Sequence, residues 1–388
     1  VAKKIRHSVI IPAFNEEQGL PVVLKPLLEL LDSSFEMLVV DDGSGDATAE
    51  VAERLGVRVI SHRRNLGKGA AMRTGIRHSA GENVIFIDAD GTYPPERVTE
   101  IARRLRQHEM VVARRRNSKN IHLVNRLGNQ IFSSLLKKFY RSRIVDPLSG
   151  LYGIRRDILE KMDLDSQGFE IETELTIKAT QMNLNVDQID IQYDKRIGES
   201  KLRPLKDGFR ILKTILMLML LYNPARSLII PGLVLFLLSF GWMLVLLPGP
   251  VIIGRVYLQY HTMIFFSMMA MVGLQLVVFG SAIRMYAVLH KYTQPDLIVS
   301  LFSKRGFVRG ILLLGVSGIA VAAYFSIRMA IAWVESGFSP IYELQQAIFM
   351  FYLLSLGFQL LFSVFFLSVF IRGIQRIQSE QEITSALE

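Results

Sequence analysis

The sequence predicts an α/β domain built on a mostly parallel sheet, followed by an all-α membrane domain. Three observations carry this. In the first half, short Val- and Ile-rich runs alternate with helix-length segments. Acidic and basic loop residues gather directly after several of those runs. In the second half four apolar stretches appear, each long enough to cross a bilayer, which takes about 20 residues. The 50% hydrophobic content therefore averages two different solvents.

The runs 8–11, 37–40, 58–61, 84–87 and 110–113 read as strands, and 16–31, 46–55, 69–79 and 95–106 carry the 3.6-residue spacing of helices. Strands alternating with helices give a parallel sheet covered on both faces. Asn15 is expected to N-cap the first helix, with Gln18 as its reciprocal partner in a capping box. In such sheets ligands bind beyond the carboxyl ends of the strands. Residues 12–16, Asp41-Asp42 and Asp88-Ala89-Asp90 all fall there.

Asp88 and Asp90, one residue apart after an apolar strand, have the spacing to hold Mg²⁺ or Mn²⁺. Such ions take one or two carboxylates and complete their shell with water and substrate phosphates. A solvated turn is the plain alternative. With no cysteine there is neither a disulfide framework nor a thiolate zinc site.

The apolar stretches lie at about 228–247, 262–287, 310–334 and 347–371, so the chain divides into an α/β domain over 1–203, a linker over 204–226 and a four-helix transmembrane domain over 227–388. In the linker, Leu205, Phe209, Leu212, Ile215, Leu216 and Met219 share one helical face and Lys206, Arg210 and Lys213 the other. This is the pattern of a helix lying in the membrane interface. A weaker version covers 296–302, within an interfacial segment at 288–309. His290, Lys291, Lys304, Arg305 and Arg309 between the second and third stretches, and Arg372 and Arg376 after the fourth, outnumber Arg255, which stands alone in the loops 248–261 and 335–346. The positive-inside rule then puts the N-terminal domain, the central loop and the C-terminus in the cytosol. Arg328, inside the third stretch, is expected to snorkel toward the outer interface near Trp333. The opening Val1-Ala2-Lys3-Lys4 reads as no signal peptide. The net charge of +10 suits anionic lipid, and no nucleic-acid motif accompanies it.

Four motifs, Ile11-Pro12-Ala13-Phe14-Asn15-Glu16, Val39-Val40-Asp41-Asp42-Gly43-Ser44, Asn65-Leu66-Gly67-Lys68-Gly69 and Asp88-Ala89-Asp90-Gly91, occur in the order and spacing of a family-2 glycosyltransferase with a GT-A fold. Asp146-Pro147-Leu148-Ser149-Gly150 and Arg196-Ile197-Gly198-Glu199-Ser200-Lys201 resemble its polyprenyl-phosphate branch, which includes the dolichol-phosphate mannose and glucose synthases. The resemblance covers about residues 8–202; the membrane half is similar to four-span members in layout. It implies that Pro12, Phe14 and Glu16 line the base and ribose pocket, that Asp41 bonds the base or ribose, and that Lys68 lies near the nucleotide. It further implies that Asp88 faces ribose and metal while Asp90 ligates the metal. Each has a bland alternative: Phe14 as loop packing, Asp41-Asp42 as a capped turn, Gly67-Lys68-Gly69 as a flexible turn.

A polyprenyl phosphate acceptor needs a cationic site near the membrane surface. The candidates are Arg114, Arg115 and Arg116, then Arg126, and Arg196, Ser200 and Lys201 just before the linker. Family members often carry Ser at the place of Asn125. Asp146 is an extra carboxylate suited to orienting the donor sugar or an arginine, and one of Glu170, Glu172 and Glu174 is expected to face the sugar. The implied reaction is inverting hexosyl transfer from a nucleotide-sugar to polyprenyl or dolichyl phosphate. Asp90-Gly91-Thr92-Tyr93-Pro94 resembles the glucose-transferring branch more than the mannose one, which implies UDP-glucose ahead of GDP-mannose. A processive polysaccharide synthase is the competing reading, although its Gln-x-x-Arg-Trp motif is absent; a non-catalytic membrane scaffold is another. A homo-oligomer stays open.

Overall fold

The computed structural model describes residues 5–116, 123–140, 142, 144–201, 203–290, 292–293, 295–338 and 344–387, without the side chains of 123–127, 129, 139, 204 and 377–387. Two compact units result, 1–218 and 219–388.

In the first unit the chain runs β1 (His7–Ala13), α1 (Leu20–Leu30), β2 (Phe35–Asp41), α2 (Thr48–Arg54), β3 (Arg58–Ser61), α3 (Lys68–His78), β4 (Asn83–Phe86), α4 (Arg97–Arg104) and β5 (Met110–Arg115). It continues with α5 (Leu123–Tyr140), β6 (Tyr152–Arg155), α6 (Arg156–Leu159), α7 (Ile171–Gln181), β7 (Val186–Ile191) and α8 (Pro204–Tyr222). One seven-stranded sheet has the order β3-β2-β1-β4-β6-β5-β7. The β1, β2, β3 and β4 pairings are parallel, β5 and β7 pair parallel, and β6 runs antiparallel to both its neighbours. Because a strand alternates its faces, Val9 and Ile11 enter one core with Leu20, Leu24 and Ile101, while Ile10 enters the other with Met72, Phe86 and Leu175. Both faces are covered, so the central strands read as continuous apolar runs.

The first helix differs from its expected start. It begins at Leu20, and Asn15 stands outside it at φ +52°. Asn15 does not cap that helix. Its side-chain oxygen accepts from Gly45 N at 2.8 Å, and its own N–H donates to Ser44 Oγ at 2.9 Å. The loop after β1 is thus latched to the loop after β2, a tertiary contact that outweighs the local capping signal. β6 and β7 lie beyond the runs recognised in the sequence. Tyr152-Gly153-Ile154-Arg155 is too short to show a period, and half-buried β7 alternates with polar residues.

α8 buries Asp207, Ile211 and Ile215, one side of the helix, and Tyr140 Oη donates to the Ile215 carbonyl at 2.9 Å. Leu205 and Phe209 stay 89% and 68% exposed.

The second unit contains four helices long and apolar enough to cross a membrane, at Ala225–Leu246, Tyr260–Leu289, Arg305–Glu335 and Leu344–Arg376. The first opens with a π turn, Ala225–Ile229. Between the second and third lies α11 when the helices are counted in chain order, Leu297–Ser303. Asp296 caps it by accepting from Ile298 N and Val299 N, and also pairs with Arg284 at 2.8 Å. Arg328 is exposed.

Candidate active site

The switch point of this sheet lies between β1 and β4, whose successors cross to opposite sides. A cleft of about 430 Å³ opens there. Its walls come from the turn after β1 (Pro12, Ala13, Phe14, Glu16), from Asp42, from Asn65 to Lys68, from Asp88 to Asp90, from Gly168-Phe169, and from a basic segment holding Arg196, Lys201, Arg203, Lys206, Asp207 and Arg210.

Each functional side chain is fixed by backbone. Glu16 N–H donates to Thr48 Oγ1 at 2.8 Å. Asp42 accepts from Leu66 N at 3.0 Å and Gly67 N at 2.7 Å, and meets His62 Nδ1 at 2.7 Å. Gly67 takes φ +101° with its Cα facing the Gln167 carbonyl closely, so a side chain there meets both strain and backbone. That turn delivers Lys68 at the start of α3. Its Nζ lies 2.6 Å from Asp88 and 2.5 Å from Glu172, buried under the Phe169 ring. Gly150 leaves the room that the Asp88 carboxylate occupies. Asp90 accepts from Thr92 N and Thr92 Oγ1, and Arg196 bridges it to Glu16, at 2.6 Å from Asp90. Ile197 N–H donates to the Asp90 carbonyl at 3.1 Å, which ties the basic segment to the end of β4.

On the cleft floor and just beneath it, then, Glu16, Asp88, Asp90 and the buried Glu172 behind Lys68 share two cations, Lys68 and Arg196. Two negative charges are left over when all are ionised. The consequences follow from burial and repulsion. Burial raises the Glu16 carboxyl to about 7, opposed by Arg196 and assisted by Asp90. Burial, then the Asp88 charge, raises Asp90. Burial also raises Glu172 against the pull of Lys68. Burial works against the Lys68 ammonium, but Asp88 and Glu172 outweigh it and keep Lys68 charged.

The donor set fits a hard divalent cation. Among the described residues no group of three or more metal-ligating side chains stands together. The available ligands are the oxygen pair Asp88 and Asp90 at the mouth of a net negative floor, the arrangement that suits Mg²⁺ or Mn²⁺ bound jointly with substrate phosphates.

Of the residues singled out by sequence, the cleft brings together Pro12, Phe14, Glu16, Lys68, Asp88, Asp90, Arg196 and Lys201. Others lie elsewhere. Asp41 is buried and accepts from Ser44 N at 3.1 Å, so it shapes the loop, and Asp42 faces the cleft in its place. Arg114 and Arg116 pair with Asp190 of β7 at 2.5 and 2.7 Å. Arg115 is held bidentately by Asp146 at 2.6 and 2.7 Å, beside the Tyr193 ring. Asp146 therefore orients an arginine and is not a cleft residue. Ser200 is exposed outside the lining. The Arg126 side chain, and Asn125 beside it, lie outside the described residues. Glu172 is the member of its trio that reaches the site, since Glu174 is engaged by Lys178 and Ser166 N. Arg203, Lys206, Asp207 and Arg210 were not singled out as a group. Their i, i+3, i+4, i+7 spacing was the available signal.

The family described as Glycosyl transferase family 2 matches residues 8–163, and the Glycosyltransferase family 2 C-terminal transmembrane region matches residues 281–371. Uncharacterized protein MJ1222 of Methanocaldococcus jannaschii is 30% identical over 228 residues, 54% of this chain and 90% of its own. The dolichyl-phosphate hexose transferase of Haloferax volcanii is 29% identical over 211 residues, 54% of this chain and 91% of its own. The low-salt glycan biosynthesis hexosyltransferase Agl6 of the same organism is 28% identical over 344 residues, 86% of this chain and 81% of its own. This chain belongs to glycosyltransferase family 2. It is an integral membrane member, with a GT-A-type α/β domain and a helical transmembrane region.

Proposed function

We propose that this protein is an inverting glycosyltransferase that moves a hexose from a nucleotide-sugar to a polyprenyl phosphate. The observation that carries the reading is the cleft at the strand ends, where a net negative carboxylate floor meets a rim of cations. Similarity to a dolichyl-phosphate hexose transferase supports the acceptor class.

Pro12, Phe14 and Glu16 hold the base and ribose, and Asp42 fixes the Gly67 turn that brings up Lys68. A Mg²⁺ or Mn²⁺ held by Asp88 and Asp90 would supply charge stabilisation of the departing diphosphate. Lys68, oriented by Asp88 and Glu172, and Arg196, oriented by Glu16 and Asp90, add fixed positive charge beside that position. The acceptor needs no general base, because a phosphate monoester with a second pKa near 6 is already a nucleophile at neutral pH. Its oxygen bonds to the anomeric carbon while the bond to the diphosphate oxygen breaks, and the nucleoside diphosphate leaves with the electron pair. One in-line displacement turns an α-linked donor into a β-linked polyprenyl phosphate sugar. UDP-glucose is the first donor to try and GDP-mannose the second, on the Asp90–Pro94 sequence. α8 lies in the membrane interface, and the α/β domain faces the cytosol by the excess of basic residues around 290–309.

The test is transfer of labelled hexose into an organic-extractable lipid by the full-length protein with Mn²⁺. Labelled glycosyl lipid is the expected product. Labelled polymer marks a polysaccharide synthase, and no transfer from any UDP- or GDP-hexose overturns the proposal.

A further inference from the structure

Between the first membrane-crossing helix, Ala225–Leu246, and the second, Tyr260–Leu289, the chain forms a small hairpin of two strands, β8 (Val251–Ile253) and β9 (Val256–Leu258). Its register pairs Val251 with Leu258, Ile252 with Tyr257 and Ile253 with Val256. Gly254, at φ +62°, and Arg255 make the two-residue turn. At the base, Val251 and Leu258 pack against the buried Met243, Leu246 and Met263 of the two spans. The hairpin is therefore seated on the span ends.

Past its base the hairpin is apolar on both faces. Successive strand residues point to opposite sides, yet Ile252, Ile253, Val256 and Tyr257 are all more than half exposed. A hairpin on a soluble surface commonly turns a polar face to water; this one has none. Its single charge is Arg255, at the tip. From Leu244 to Ile253 no polar side chain interrupts the chain, and Leu244 and Val245 are exposed on the end of the first span. Ile264 and Phe265 are exposed near the start of the second. Trp242 and Phe266 stack across the same two spans at 5.7 Å, and Trp favours the level where hydrocarbon meets headgroups.

Bulk water does not suit this hairpin, because large apolar side chains on both faces would meet it. The hydrocarbon core does not suit it either. Each strand has only one neighbour in its sheet, so its other edge needs water or headgroups to satisfy the backbone. We infer that β8 and β9 lie in the lipid interface of the leaflet opposite the cationic segment 290–309. Ile252, Ile253, Val256 and Tyr257 rest among the upper acyl chains, and Arg255 reaches lipid phosphate. The hairpin thereby holds the ends of the first two spans at a fixed depth.

The chain has no cysteine, so single-cysteine variants of the full-length protein carry a nitroxide label without background. Ile253→Cys and Tyr257→Cys are measured in nanodiscs of phosphatidylcholine and phosphatidylglycerol. Leu238→Cys, on an exposed apolar site of the first span, and Arg63→Cys, on the exposed surface of the α/β domain, serve as references. Collisions with oxygen report hydrocarbon, and collisions with a neutral nickel chelate report water. Labels at 253 and 257 should show an oxygen-to-nickel collision ratio several-fold above that at 63 and clearly below that at 238. Arg255→Cys should fall nearer to 63. None of these readings depends on sugar transfer. A ratio at 253 and 257 no higher than at 63 overturns the inference by placing the hairpin in water. A ratio equal to that at 238 overturns it by sinking the strand edges into hydrocarbon. Labels that are immobile and shielded from both reagents also overturn it, because a protein partner or a second copy then covers the hairpin.

Discussion

On the flank of the α/β domain, away from the cleft lining, buried Glu174 meets Lys178 at 2.6 Å, and Arg104 joins Asp187 at 2.6 Å and Glu100 at 2.9 Å. On the cleft floor and just beneath it Glu16, Asp88, Asp90 and Glu172 divide Lys68 and Arg196 between them. Both regions are built from the same side chains at similar distances, yet their carboxyl groups move in opposite directions. Burial pushes Glu174 up, but the hydrogen bonds from Lys178 and Ser166 prevail and hold it low. Asp187 is likewise held low by Arg104 against its burial. Glu16, Asp90 and Glu172 are raised. The flank is a settled set of ion pairs. The floor carries uncompensated negative charge, a state that costs stability and makes sense where a cationic ligand is to arrive.

The comparison can be broken in several ways. The largest effect is expected from Asp90→Asn, which should cut transfer roughly a thousandfold, since a charge contribution of several kcal/mol is lost from the transition state. The protein should still be folded and membrane-inserted, as circular dichroism and detergent extraction would report. Lys68→Met strands Asp88 and Glu172 together and should lower unfolding stability by about 3–5 kcal/mol, read by denaturant titration. Adding Glu172→Gln to Lys68→Met should recover part of that loss.

The next two predictions concern pH and have opposite signs. Glu16 moves from its ordinary 4.5 to about 7 on folding. The folded state therefore binds more protons than the unfolded state between those values, and stability falls as pH rises through that window. Glu16→Gln removes the penalty, so it should gain about 2 kcal/mol over the wild type at pH 8 and nothing at pH 4. Glu174 is lowered from its ordinary 4.5, so its contribution is present above that value and lost as pH falls through the folded one. Glu174→Gln should cost about 1 kcal/mol at neutral pH, with the gap closing on acidification. Thermal melts across pH read both. The smallest effect belongs to Arg114→Ala. Arg114 is spent on Asp190 away from the cleft, and transfer should be unchanged.

Much of this site was legible in the sequence because its turns follow strands. Pro12 to Glu16, Lys68, and Asp88 with Asp90 are local motifs at strand ends, and parallel-sheet geometry gathers such ends without further information. The four membrane helices were legible for a similar reason, since length and composition suffice. What escaped depends on long-range pairing. The sequence could not show that Arg114 turns to Asp190, because β5 and β7 meet only through the sheet, or that Arg115 closes on Asp146, which comes from the segment before β6. It could not choose among Glu170, Glu172 and Glu174, since only the position of Lys68 decides which one is used. The capping signal at Asn15 failed for the same reason, overridden by Ser44 and Gly45 from another loop. The basic residues of α8 were seen as a polar face, but their place on the cleft rim emerges only from the packing of Ile211 and Ile215.

The central claim, that the floor is an under-neutralised site for a cation carrying a diphosphate, is tested most directly by calorimetric titration of a nucleoside diphosphate with and without Mn²⁺. The account predicts weak binding without the metal, because the ligand's charge meets a negative floor, and at least about tenfold tighter binding with it. Asp90→Asn should erase that difference. Equal affinity with and without Mn²⁺, or a Mn²⁺ effect that survives Asp90→Asn, would contradict it.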